Sequence, residues 1–157
     1  MVSGSYNNVQ IVQTKDYVLL LNEMIHQTRI IPFADEFSGT AKWEGDSKAH
    51  WEGNTLVVDT TNFYYPRNYS GATKNMKLTE RFERVNADTI MYDFTVEDPE
   101  TWTAPWSARL PLTRISDPIY EYACHEGNHG LIGILAGWRR YEAMGMNGDG
   151  TPKEQAE

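Results

Sequence analysis

The chain has 157 residues, with 22 acidic against 14 basic side chains and a formal net charge of −8. That length suits one domain with a core of its own, and a single cysteine excludes an internal disulfide. The acidic balance, with no basic stripe, excludes a nucleic-acid binder that grips phosphates, and no apolar run approaches the ~20 residues that span a bilayer.

Met1 to Asn8 is short and polar, lacks the apolar stretch of a signal peptide, and reads as a flexible start, residues 1–8. Compartment is left open, since a leader could precede the chain as given. Val9 to Gln13 is expected to be a short strand. Tyr17 to Phe33 is the longest apolar segment, and its β-branched residues Val18, Ile25, Thr28, Ile30 and Ile31 predict one strand bent by a bulge and stopped at Pro32. Phe33 to Lys48 carries turn chemistry in Asp35, Ser38, Gly39, Gly45 and Asp46.

Two similar tetrapeptides follow, Trp43-Glu44-Gly45-Asp46 and Trp51-Glu52-Gly53-Asn54. The second predicts a hairpin turn, because Gly-Asn tolerates positive φ and its flanks, Ala49 to Trp51 and Thr55 to Phe63, are strand-like. Tyr64 to Asn75 is an aromatic loop. Met76 to Val85 and Thr89 to Asp98 then predict the clearest hairpin, with Ile90, Tyr92, Phe94 and Val96 on one face toward the core. Pro99 and Pro105 bracket a second aromatic loop with Trp102 and Trp106. Ser107 to Ile115 and Ile119 to His125 are read as strands. From Gly130 the period changes: Leu131, Ile134, Leu135, Trp138 and Tyr141 predict a helix over about 129–144 with Asn128 as its N-cap. Residues 145–157 read as a disordered tail.

This pattern predicts a mainly β fold, a single antiparallel β-barrel or strongly curved sheet of calycin-like or lipocalin-like type over 9–144, with one C-terminal α-helix. Barrels of about eight strands enclose room for one small ligand, so inward polar residues become candidates for chemistry. Glu80 lies between Leu78 and Phe82 on one strand face, and Glu23 between Leu21 and Ile25. A carboxylate in an apolar interior needs an Arg or His partner or takes a raised pKa. The alternative puts both glutamates on a solvated wall.

His26 and Arg29 follow Glu23 at three-residue steps. A regular strand puts Glu23 and Arg29 on one face and His26 on the other, so a Glu23–His26 pair requires the bulge. Arg29 is expected either to partner a buried carboxylate or to grip an anionic substrate. His125 ends a strand beside a helix N-terminus, where developing negative charge is favoured; capping the helix is its plainer role. Adjacent residues on a strand face opposite ways, so Cys124 is read as an inert thiol rather than a nucleophile paired with His125.

No resident cofactor is expected. A divalent metal, if one binds, would draw on His26, His125, His129 and Glu126, with His50 as a further donor, although Gly127-Asn128 keeps His125 and His129 off one helical face and no zincin motif results. The aromatics Tyr65, Tyr122, Trp102 and Trp106 are expected to line a substrate site or to plug the barrel ends.

Five stretches resemble a large bacterial family without an assigned activity: Gln10 to Thr14; Glu23-Met24-Ile25-His26 with Arg29-Ile30-Ile31-Pro32; Trp51-Glu52-Gly53-Asn54 through Asn62-Phe63; Thr95 to Trp106; and Tyr120 to Asn128. The resemblance runs from about Gln10 to Gly137. It implies an acidobacterial or proteobacterial setting, often behind secretion signals. The family pattern has Tyr where this chain has His129, and the short segment from Phe33 to Trp43 departs from the Pro- and Asp-Gly-containing segment associated with that family.

Three functions follow as expectations. The first is an acid–base enzyme (lyase, isomerase or hydrolase) acting on a small molecule in the barrel. Its proton carriers are Glu23, His26, Glu80 and His125, and Arg29 and Tyr122 orient the substrate. The second is a metal-dependent hydrolase, and the third a non-catalytic module for a small ligand or glycan. The expected partner is a small-molecule ligand or substrate, without nucleic acid or membrane; a homo-oligomer is compatible with the sequence, which leaves oligomeric state open.

Overall fold

The computed structural model describes residues 8–64, 71–123, 126–127, 129–148 and 150–151. Period-two alternation of apolar and polar side chains yields eight strands: β1 Val9–Gln13, β2 Tyr17–Asn22, β3 Thr28–Pro32, β4 Asp46–Glu52, β5 Thr55–Thr61, β6 Lys77–Asn86, β7 Thr89–Glu97 and β8 Trp106–Thr113. They form two antiparallel sheets in which each strand pairs with its chain neighbour, β1-β2-β3 and β4-β5-β6-β7-β8. The fold is mainly β with one helix, α1, at His129–Ala143.

The expected single strand from Tyr17 to Phe33 is in fact a hairpin. A 3-10 turn at Met24–His26 reverses the chain, with Ile25 at φ 62° and His26 at φ 49°. Folding back pairs Val18 with Ile31 and Leu20 with Arg29, so these four side chains share one inward face. A straight strand of that length would exceed the usual 3–10 residues and leave its apolar face without a partner.

The other hairpins sit where the turn residues place them. Gly53, at φ 59°, closes β4 onto β5, and Ala87-Asp88 closes β6 onto β7, with a register shift between Arg84 and Asn86. Tyr92 and Val96 are fully buried and Phe94 nearly so, which puts the expected face of β7 in the core. Isolated parallel bridges join Phe33, just after β3, to Ala49 of β4, and Lys42 of the β3–β4 connection to Phe63, just after β5. Gly45 in that connection has φ +78°, and a Cβ there would lie 2.4 Å from Thr60 Cγ2 and 2.9 Å from the Thr61 carbonyl oxygen. Only glycine fits so close an approach.

One apolar cluster draws on both sheets: Val18, Leu20 and Ile31 from the first, with Leu56, Val58, Leu78, Phe82, Tyr92, Phe94 and Val96 from the second. Asp98 ties the loop after β7 to residues 73–75. Its buried carboxylate accepts the Thr73 N–H at 2.5 Å, the Glu100 N–H at 3.1 Å and the Thr73 and Thr101 hydroxyls at 3.1 Å. Burial pushes its pKa up, and these donors outweigh burial, so the pKa lies below the ordinary value.

The chain divides into two compact units, Met1–Glu121 and Tyr122–Glu157. The second holds α1, within a residue of the expected helix; the proposed cap Asn128 lies outside the described residues. The helix ends in a Schellman arrangement: the Gly145 N–H bonds the Glu142 carbonyl and the Met146 N–H the Tyr141 carbonyl, with Gly145 at φ 71°. In the expected tail, Asn147 N–H bonds the Thr151 carbonyl at 2.7 Å. Among the described residues no helix is long and apolar enough to cross a membrane.

The strand expected at Ile119 to His125 is absent from its described part, 119–123. Strand propensity needs a neighbouring ladder, and the Tyr120 N–H instead donates to a Glu23 carboxylate oxygen at 3.1 Å.

Candidate functional site

Glu80 projects from the middle of β6 between Leu78 and Phe82 and is completely buried. Arg29 reaches it from β3, donating from Nη1 to Oε2 at 2.6 Å, and the Tyr92 hydroxyl donates to Oε1 at 2.8 Å. Arg29 Nη2 donates to Ser47 Oγ at 3.2 Å and Thr60 Oγ1 at 3.0 Å, and these hydroxyls are 2.8 Å apart. Arg29 Nε is buried with no hydrogen-bond partner among the described residues.

Burial alone would push the Glu80 pKa up, but the charges and hydrogen bonds around it, the Arg29 guanidinium foremost and the Tyr92 hydroxyl among them, together outweigh burial and bring it down to about 2. Near neutral pH this carboxylate is therefore ionised and tied to the guanidinium. The pair fixes β3 against β6 and holds no proton to lend.

A larger feature lies between β1 and the β7–β8 end of the second sheet. A groove of about 760 Å³ is walled by Val9 and Ile11 of β1, Ile90 of β7, and Leu112 of β8 with Ile115 and Ile119 beyond it. Arg84, Asp88, Arg114 and Asp117 add two charges of each sign to its lining, and Arg114 Nη1 lies 3.8 Å from Asp88 Oδ1. The volume falls within the ~300–1,000 Å³ of small-molecule sites.

Glu23 braces one end of this groove. Its carboxylate accepts from Asn8 Nδ2 at 2.7 Å and from the Tyr120 N–H at 3.1 Å; Asn8 lines the groove, as does Ile119 next to Tyr120. Glu23 and Glu80 thus have separate partners, and neither lines the groove. His26 is exposed on the turn after Glu23.

Trp102 and Trp106 are half-buried and pack edge-to-face with ring centroids 5.8 Å apart; Trp106 also packs against Phe94, so they extend the core. Tyr122, Glu126 and His129 are exposed and belong to the second unit. Among the described residues no group of three His, Cys, Asp or Glu side chains is arranged to hold a metal ion. His125, Cys124 and Tyr65 lie outside the described residues.

Sequence reasoning brought Arg29 and Glu80 forward but passed over Ser47, Thr60 and Tyr92. Tyr92 carried a usable signal: a phenol on the inward face of a strand needs a partner for its hydroxyl. The chain has no match among family models, curated proteins or solved structures.

Proposed function

We propose that the strand meander curls into a calycin-like barrel left open between β1 and β8, and that this seam binds a small amphipathic molecule without transforming it. The observation that carries this reading is the 760 Å³ groove, whose lining mixes apolar side chains with two charges of each sign. The Phe33–Ala49 bridge on the opposite flank and a core shared by both sheets support the curled arrangement. The binding reading is preferred to acid–base catalysis because Glu80, the most deeply placed carboxylate among the candidates, is saturated by Arg29 and Tyr92. The family resemblance adds no activity to it.

The test is titration with 1-anilinonaphthalene-8-sulfonate, an amphipathic fluorescent probe. Ile115 lines the groove and is 47% exposed, so Ile115→Glu should leave the fold intact. Removing that apolar contact should weaken binding about tenfold, equivalent to ~1.4 kcal/mol. Unchanged affinity in a folded Ile115→Glu protein would count against the groove as the site. Turnover in a broad hydrolase and lyase panel would overturn the non-catalytic part.

A further inference from the structure

Both sheets turn one side to the shared core and the other away from it. On the second sheet the outward side carries ion pairs, Arg81 with Glu52 and Arg109 Nε with Asp93 Oδ1 at 3.3 Å, as suits a face wetted by water. The first sheet differs. Val18, Leu20 and Ile31 face the core, so the alternate residues of β1, β2 and β3 face outward, and none of these is charged. Ile30 at their centre line is 66% exposed and Val12 is exposed as well.

The register arranges this outward side in two rows across the three strands, Gln10–Leu21–Thr28 and Val12–Leu19–Ile30. Directly opposed side chains on a sheet lie ~5 Å apart, so the second row is a continuous apolar band rather than scattered contacts. Each row reads the same from either side of β2. One is polar, leucine, polar; the other is β-branched, leucine, β-branched. Such a surface is complementary to itself. A two-fold axis running along β2 between two stacked sheets sets Leu19 on Leu19, Leu21 on Leu21, Val12 on Ile30 and Gln10 facing Thr28.

Charge points to the same occupant. Two copies of a chain with net charge −8 repel each other, and a contact that buried like charges would be costly. A side without charged residues avoids that cost. We infer that the outer face of β1–β3 is a self-association surface that joins two copies of the chain about a two-fold axis. Three strands ~4.8 Å apart and about five residues long at ~3.3 Å give a face of roughly 14 by 17 Å. That is small beside the ~800 Å² per partner of a stable complex, so the dimer is transient and forms only at high concentration. The inference is independent of the groove beside β1.

The test is sedimentation velocity of the full chain between about 10 µM and 1 mM, with amide NMR spectra over the same range. The sedimentation coefficient should rise with concentration, and the amides that move should gather at Leu19, Leu21 and Ile30. Ile30→Lys, at an exposed position, should weaken dimerisation at least about tenfold, since each copy presents the new ammonium to an apolar partner surface. Ile30→Val should keep it. Leu135→Lys, on the exposed apolar residues of α1, should leave it unchanged. Should Ile30→Lys fail to fold, the map of moving amides in the unsubstituted chain decides. The inference is overturned if the chain stays monomeric throughout, if the moving amides lie outside β1–β3, if folded Ile30→Lys associates undiminished, or if Leu135→Lys abolishes association and so makes α1 the contact.

Discussion

The Arg29–Glu80 pair decides more about this molecule than any other two residues. Both are buried, and at 2.6 Å they form a charge-assisted hydrogen bond in the core. Truncating one partner leaves a bare charge in the core. Glu80→Ala should cost about 3–5 kcal/mol, while replacing both by apolar residues, Arg29→Met with Glu80→Met, should recover most of that loss. Urea unfolding of both single variants and the double variant measures the coupling, and additive losses would show that the pair acts independently.

At this scale the sequence was informative about identity and less so about role. Leu78 and Phe82 marked Glu80 as inward, and partnering a buried carboxylate was one of two expectations for Arg29. What it could not supply was the register that sets Leu20 opposite Arg29 and so aims the guanidinium inward. Ser47 and Thr60 gave no distinguishing signal, because small hydroxyl residues are equally at home on either face of a strand.

Among the elements, hairpins closed by Gly-Asn or Asn-Ala-Asp were legible because the turn chemistry and the period agreed. The β2–β3 hairpin was not, because Met24-Ile25-His26 contains no Gly, Asn or Asp to signal a turn, and its first left-handed position is taken by the β-branched Ile25. Ile25 is held at φ 62° and is 70% exposed, so its side chain gains little there. For a β-branched residue that conformation costs about 1–2 kcal/mol. Ile25→Asn should therefore stabilise the protein by about 1 kcal/mol, read as a rise in the urea midpoint, since asparagine tolerates this backbone. A fall in the midpoint would mean that Ile25 makes a contact that offsets its strain.

For the molecule as a whole, the excess of acidic residues sets the response to pH. Glu80 is brought down to about 2 from an ordinary value near 4.5, and Asp46 and Asp98 also lie below theirs. Burial alone would raise Asp46, but Lys42, Ser38 and the Gly39 N–H outweigh it. In each case the folded state binds its proton less readily than the unfolded state does. The stabilisation is therefore complete above the unfolded value and lost as pH falls toward the folded one. For Glu80 that window runs from about 4.5 down to about 2 and carries on the order of 3 kcal/mol. Urea midpoints should hold between pH 7 and 5 and drop steeply below pH 4. A flat profile to pH 2.5 would rule out this linkage.

The order of strands within each sheet has a kinetic consequence. Because every ladder joins neighbours along the chain, no hairpin has to wait for a distant segment to arrive, and the entropy lost in loop closure is small at each step. Only the meeting of the two sheets over their common core requires a long excursion. Nucleation should therefore begin at the longest hairpin, β6–β7, and stopped-flow refolding should slow when Phe82 or Tyr92 is truncated but hardly change for the exposed residues of β1.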